Sequence, residues 1–197
     1  MNEKDPELIR QVLEGDVQAF TKLVEKYQEP VYHMCYRMLG DAAEAEDAAQ
    51  ETFLRAFQNI RRYDRQRPFS TWILSIAAHY CIDQVRRRRI HYLSYNDVPH
   101  LDPPDRSPGP EGNLVLKEEQ FRVQKLLAAL DPRDRAALVM LYWYDLSYEE
   151  IAGVLSMSVS TVKSRLFRAK RELAELWMKS SLQTSAGERS YHESPAF

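Results

Sequence analysis

The chain has 197 residues, of which 44% are hydrophobic and 28% are charged, and its formal net charge is −2. These values are typical of soluble globular proteins and fit one large or two small domains. No apolar run approaches the roughly 18 residues that a membrane-spanning helix needs, and the first residues lack a signal-peptide core. The two cysteines are too few for a disulfide framework. We therefore expect a cytoplasmic protein without membrane insertion, in which both thiols are buried.

Both halves of the chain have patterns typical of helices, and sustained alternation of polar and apolar residues is missing. Helix-capping residues occur throughout: Gly40 at a helix end, and Asp41, Ser70, Asp131, Ser147 and Ser158 at helix starts. Five of the ten prolines lie between Pro99 and Pro110, in a stretch with little apolar content. The sequence predicts an all-α fold with two small helical domains, residues 1–93 and 114–178, a flexible linker at 94–113 and a disordered tail at 179–197.

Charge is distributed unevenly along the chain. Residues 1–60 contain six Lys and Arg against twelve Asp and Glu, whereas residues 61–91 contain eight Arg against two Asp. Residues 159–177 contain five basic residues against two Glu. Two basic segments far apart in an otherwise acidic chain indicate two contacts with a polyanion, although each alone also fits a solvated helix face.

Residues 146–173 have the pattern of a helix-turn-helix. A short helix from Tyr148 to Leu155 is followed by a turn at Ser156 and Met157, and a second helix begins after Ser158. Ser156 stands where such a turn often carries glycine, so serine is strained there if the turn needs a positive φ. Short hydroxyls followed by cations on the outer face suit a helix whose start enters the DNA major groove. These outer residues are Ser160, Thr161, Lys163, Ser164, Arg165, Arg168 and Arg171. A helical hairpin with a charged face is the alternative.

Residues 70–89 form a helix with two different faces. One face, built around Ile73 and Ala77, is apolar and suits a core. The other face and the loop before it combine aromatic, hydrogen-bonding and cationic side chains: Tyr63, Arg67, Phe69, Ser70, Trp72, Ser75, His79, Asp83, Arg86 and Arg87. Aromatic residues between cations suit unpaired bases and their phosphates. A core anchor at Trp72 with arginines at the helix end is an equally good interpretation of this segment alone.

Residues 43–60 form a third helix, with Ala49, Phe53, Ala56 and Ile60 facing inward. Its neighbouring outer face groups acids around a leucine and suits a protein partner better than DNA: Asp47, Gln50, Glu51 and Leu54. A solvated acidic helix is the alternative.

Little in the sequence favours an enzyme. His79 has no second ligand at a metal spacing, and the chain has no Walker-type phosphate loop. We therefore expect no metal and no cofactor. A stand-alone helix-turn-helix regulator would explain the C-terminal half, but not Trp72 and the arginine-rich loop beyond the linker.

Three segments, AEDAAQETFLRAF, FSTWILSIAAHYCIDQVRRR and LSYEEIAGVLSMSVSTVKSRLFRAKREL, together resemble the extracytoplasmic-function (ECF) subfamily of bacterial RNA polymerase sigma factors. The resemblance covers residues 7–93 and 114–177, and departs from many members at Ala78-His79. It implies that the acidic face binds the polymerase clamp, that residues 63–89 recognise and melt the −10 promoter element, and that residues 160–168 read the duplex −35 element. It also implies contact with the polymerase flap and control by an anti-sigma factor.

Overall fold

The computed structural model describes residues 5–94 and 114–190, with side chains over 5–88 and 119–179. These residues form eight α-helices and one short 3-10 helix at Ile60–Arg62, without a strand among them. The predicted all-α class is therefore confirmed. The helices are α1 (Asp5–Leu13), α2 (Val17–Leu39), α3 (Ala42–Asn59), α4 (Phe69–Ser94), α5 (Leu114–Ala129), α6 (Pro132–Trp143), α7 (Tyr148–Leu155) and α8 (Val159–Ser190).

Helix α2 is the centre of the first half, because α1, α3 and α4 all pack against it. The face of α3 predicted to point inward is buried, with Ala56 fully excluded from solvent. Cys35 of α2 and Cys81 of α4 are both free and buried, as predicted. Hydrogen bonding to Cys35, together with burial, raises the pKa of the Cys81 thiol. Cys81 therefore acts as a small apolar core residue at neutral pH.

Helix caps explain most of the boundaries. Gly40 ends α2 in the left-handed conformation with a φ of 82°, and the Asp41 side chain accepts from the Glu44 N–H to begin α3. Both caps were predicted. The prediction that Ser70 caps α4 is wrong, since α4 begins at Phe69 and the Trp72 N–H already donates to the Pro68 carbonyl at 3.2 Å. Ser70 consequently lies inside the first turn.

The second half is built from α5 to α8. Asp131 caps α6 with proline at its first position, and Ser147 and Glu150 form the predicted capping box of α7. Ser158 Oγ accepts from the Thr161 N–H at 3.2 Å at the start of α8. Helix α8 continues to Ser190, so the tail predicted to be disordered is helical over residues 180–190. That stretch contains no proline to stop a helix, and extending an existing helix is easier than starting one.

The two halves pack against each other. Helices α6 and α7 both contact α4, and α5 and α6 contact α2. Buried apolar residues of both halves form one continuous cluster. Ser94, the first residue of the predicted linker, ends α4, and the rest of the linker, 95–113, lies outside the described residues. Within the described residues, no helix combines the length and apolarity needed to cross a bilayer.

Candidate nucleic-acid interface

The predicted helix-turn-helix is present in α7, the turn at Ser156 and Met157, and α8. Ile151 and Leu155 of α7 and Val162 and Leu166 of α8 are buried. Ser156 adopts the left-handed conformation, with a φ of 52° and a ψ of 51°. The sequence predicted strain if this turn required positive φ, and it does. A residue with a Cβ is unfavourable in this region, so the turn stores a small amount of strain.

The start of α8 presents an exposed polar face. The hydroxyl of Ser158 lies 2.9 Å from that of Ser160 and 2.8 Å from that of Thr161. Most of the residues predicted to contact DNA here are exposed: Ser160, Thr161, Lys163, Ser164, Arg168 and Arg171. Short hydroxyls at the helix start leave room for a close approach, and the cations follow within the next three turns.

Arg165 differs from its predicted role. Its Nη1 lies 2.5 Å from Asp134 Oδ1 and 3.4 Å from Asp131 Oδ1, so the guanidinium turns toward the start of α6. The Asp134 side chain is only 9% exposed. An arginine held by two carboxylates is not available for bidentate contact with a base. This ion pair argues against a base contact by Arg165 and makes it a positioning residue that joins α8 to α6.

A cluster of aromatic rings lies at the start of α4. The ring centroid of Trp72 is 5.1 Å from Tyr63 and 5.5 Å from Phe69. Phe69 also contacts Tyr27 of α2 at 5.3 Å and is 2% exposed. The predicted nucleic-acid contact by Phe69 is therefore wrong, because the ring is part of the core. Tyr63 and Trp72 are half-buried, so part of each side chain stays accessible to solvent.

The rest of the predicted strip runs along α4 from this cluster. Ser75 Oγ donates to the Trp72 carbonyl at 2.7 Å, and His79 Nδ1 lies 2.8 Å from the Ser75 carbonyl. Ser70 and Ser75 are half-buried. The exposed members are Arg67, His79, Asp83, Arg86 and Arg87. The strip is thus aromatic at one end and cationic at the other.

A cavity of about 440 Å³ adjoins the aromatic cluster and is bounded by α1 and by the loop before α4. Asp5 of α1 forms part of its wall and is buried, with Lys26 and Tyr27 as hydrogen-bond donors. Burial, with the Asp5 hydrogen bond, raises the pKa of Tyr27. The sequence did not predict that α1 forms a wall of this cavity, because the residue pattern of so short a helix does not indicate which loop it contacts.

The acidic face of α3 is also present. Asp47 and Gln50 are exposed, and Leu54 is 52% exposed. Glu51 pairs with Arg55, with Nε and Oε1 2.7 Å apart. Phe57, one turn further along, is 42% exposed and was not predicted as part of this face. Exposed apolar groups beside acids suit a protein partner.

The described residues contain no group of three or more His, Cys, Asp or Glu side chains arranged to hold a metal ion.

Two family models match this chain, one in each half. Residues 23–90 match Sigma-70 region 2, and residues 120–173 match Sigma-70, region 4. A relative from Bacillus subtilis (strain 168), ECF RNA polymerase sigma factor SigW, is 37% identical over 172 residues. The alignment covers 84% of this chain and 92% of that relative.

Solved structures agree on the fold. CnrH, solved in complex with the cytosolic domain of CnrY, superposes with a TM-score of 0.66 at 26% identity, covering 89% of this chain and 97% of the other. The sigma factor RpoE from Bartonella quintana, solved in complex with the anti-sigma factor NepR, gives a TM-score of 0.64 at 22% identity. That alignment covers 82% of this chain and 98% of the other.

Proposed function

This chain belongs to the ECF subfamily of RNA polymerase sigma factors, and we propose which of its surfaces perform each step of promoter recognition. It binds core RNA polymerase, recognises the −35 and −10 promoter elements, and promotes promoter melting and transcription initiation. The observation that supports the division of work is that one chain carries two separate surfaces whose side chains suit nucleic acid, on α4 and α8, and an exposed acidic face on α3. A single duplex-reading domain would need only the first.

The exposed face of α8 is proposed to read the −35 element as duplex. A helix start fits the major groove, where hydroxyls and cations meet base edges and phosphates. Arg165 is left out of this set because of its ion pair with Asp134. The proposed contacts are Ser160, Thr161, Lys163, Ser164, Arg168 and Arg171.

The start of α4 is proposed to hold the opened −10 element. Trp72 and Tyr63 offer partly accessible rings, and each base stacked on an aromatic side chain contributes roughly 1–3 kcal/mol. The cations supply the phosphate contacts. The buried Phe69 ring packs against the rings of Tyr63 and Trp72 and is not among the proposed DNA contacts. The proposed contacts are Tyr63, Arg67, Ser70, Trp72, Ser75, His79, Asp83, Arg86 and Arg87.

The face of α3 around Leu54 is proposed to bind the polymerase clamp through Asp47, Gln50, Glu51 and Leu54, while the second half contacts the flap. An exposed leucine ringed by acids fits a basic partner surface with an apolar socket. The residue ranges 1–93 and 114–178 are proposed as sigma domains two and four.

An anti-sigma factor is proposed as a regulatory partner. The sigma factor RpoE was solved with such a partner, NepR. We further propose that the chain is not an enzyme, uses no cofactor and works in the cytoplasm. Opening of DNA would then be driven by binding energy, since the sequence has no Walker-type loop to hydrolyse a nucleotide.

Transcription from purified components tests the assignment of the acidic face. Asp47→Ala with Glu51→Ala is expected to weaken binding to core polymerase and reduce initiation in proportion, with the folded structure kept. Glu25→Ala with Glu29→Ala removes two exposed acids from α2 and serves as the matched control. Unchanged polymerase affinity in the first variant would refute this face. Tight binding of duplex DNA without polymerase would instead favour the stand-alone regulator.

A further inference from the structure

The middle of the α4 strip differs from its cationic end in hydrogen-bonding character. Arg86 and Arg87, which are exposed at that end, are donors only. Before them, Ser75, His79 and Asp83 follow one another at intervals of four residues. Four residues are slightly more than one helical turn and rise about 6 Å, so these three side chains lie along one side of α4.

The backbone of α4 takes up the hydrogen-bond donors of the first two side chains. The Ser75 hydroxyl donates to the Trp72 carbonyl at 2.7 Å. His79 Nδ1 lies 2.8 Å from the Ser75 carbonyl, and because a carbonyl oxygen can only accept, Nδ1 carries the proton. The other nitrogen of the neutral ring, Nε2, is then unprotonated. Ser75 and His79 therefore offer only lone pairs to a ligand.

Asp83 continues the same pattern. Its side chain is exposed, and an ionised carboxylate accepts hydrogen bonds but has no proton to donate. His79 is also exposed, whereas Ser75 is half-buried. We call Ser75, His79 and Asp83 the acceptor column, because none of the three has a donor left for a bound molecule.

The acceptor column is unsuited to phosphate and suited to the edges of bases. Phosphate oxygens also only accept hydrogen bonds, and the negative charge of Asp83 repels them. The exocyclic amino groups of bases are donors: adenine carries one at N6, cytosine at N4 and guanine at N2, whereas thymine has none. When strands are opened, these groups lose their base-pairing partners and are free to bind elsewhere.

We propose that the acceptor column recognises exocyclic amino groups of unpaired bases in the opened −10 strand and so selects against thymine. The proposal rests on the proposed function of the α4 strip, which brings opened DNA to this helix. It divides the strip by chemistry: Trp72 stacks on bases, the acceptor column determines which bases are preferred, and the cations bind phosphates. His79 is the central determinant, since it is exposed and lies between the other two members.

Base selection by the polymerase holoenzyme tests the proposal. The full-length chain is assembled with core RNA polymerase and bound to a library of single-stranded DNA of randomised sequence, and the bound molecules are sequenced. The measurement is made at about pH 8, where a histidine side chain in water is neutral. The parent holoenzyme is expected to deplete thymine at one or more positions, and His79→Ala is expected to lose this depletion at one of them.

Bases without the amino group identify the contact. At the position that responds to His79→Ala, the selected base is replaced by purine for adenine, hypoxanthine for guanine or 2-pyrimidinone for cytosine. Binding by the parent holoenzyme is expected to fall about twofold to tenfold, which corresponds to the loss of one hydrogen bond. The His79→Ala holoenzyme is expected to bind both forms equally.

Two control variants separate base recognition from phosphate binding. His33→Ala removes an exposed histidine from α2 and is expected to leave the base profile unchanged. Arg86→Ala is expected to weaken binding of all sequences alike and to reduce the slope of affinity against salt concentration by about one. If His79→Ala behaves like Arg86→Ala, or if its base profile superimposes on the parent's, the proposal is overturned.

A Trp72→Ala holoenzyme distinguishes failure of this proposal from failure of the proposed function. If Trp72→Ala weakens single-strand binding while His79→Ala leaves base selection unchanged, the α4 strip binds opened DNA and only the role of the acceptor column is wrong. If neither variant changes binding, the assignment of the −10 element to α4 is itself refuted.

Discussion

The starts of α8 and α4 both offer side chains suited to nucleic acid, but they are built differently. The start of α8 is an exposed row of short polar groups and cations on a helix that packs through its opposite face. The aromatic rings at the start of α4 lie at the edge of the core, where Phe69 contacts Tyr27. Helix α7 lies across a shared cavity from this surface. Reading duplex DNA needs a rigid face that is already available. Binding opened strands needs aromatic side chains on which bases can stack. Because these side chains are large and apolar, a protein holds them at its surface by packing part of each ring against its core.

The largest expected effect tests how far the α4 surface depends on the core beneath it. Phe69→Ala removes a 2% exposed ring that contacts Tyr27, Tyr63 and Trp72, and is expected to cost about 3–5 kcal/mol of unfolding free energy. Urea denaturation measures it. The same change at Phe167, which is 69% exposed on α8, is expected to stay within about 0.5 kcal/mol. Equal effects at the two sites would mean that Phe69 is not core.

A substitution at Arg165 tests whether its ion pair with Asp134 stabilises the packing of α8 on α6. Arg165→Ala leaves the mostly buried Asp134 carboxylate without its guanidinium and is expected to cost about 2–4 kcal/mol of stability, below the full value for a buried pair because Arg165 is partly exposed. Arg168→Ala, one turn along and exposed, is expected to lose DNA affinity but almost no stability. If Arg165→Ala instead kept full stability and relaxed preference at one −35 position, the guanidinium would be a base contact after all.

A substitution at Trp72 tests whether the start of α4 binds opened DNA strands. Trp72→Ala is expected to reduce the binding free energy for the opened strand by roughly 1–3 kcal/mol, which is the contribution of one stacked base. The loss should appear in the stability of open complexes on a promoter, while binding of a duplex −35 fragment stays unchanged. Trp177→Ala on α8 is the matched control and should leave opening intact. A loss confined to duplex binding would place the stacking site elsewhere.

The smallest expected effect concerns the turn between α7 and α8. Ser156→Gly is expected to stabilise the second half by about 0.5–1 kcal/mol, because glycine tolerates the φ of 52° without a Cβ clash. Thermal unfolding measures the gain. Ser164→Gly, inside α8, should be destabilising by roughly 0.5 kcal/mol. A destabilising Ser156→Gly would show that the serine side chain outweighs the strain.

Much of the architecture was predictable from local signals. The caps at Gly40, Asp41, Asp131 and Ser147 lie where the sequence predicted them, and the buried faces of α3 and α8 follow from their spacing. Even the strain at Ser156 was foreseeable. These features depend on residues within a few positions of one another, and backbone hydrogen bonding and helical periodicity act over that distance.

Where a long side chain points was decided by the tertiary structure. A helical wheel assigns Arg165 to an outer face, yet two acids more than 30 positions earlier in the chain draw its guanidinium inward. The same wheel cannot show that Phe69 meets Tyr27, or that α7 lies against Trp72. The sequence by itself determined the helices, their caps and the residue types on each surface. Only the packed molecule decided which of those residues face solvent, because burial and ion pairing depend on neighbours that the fold brings together from distant parts of the chain.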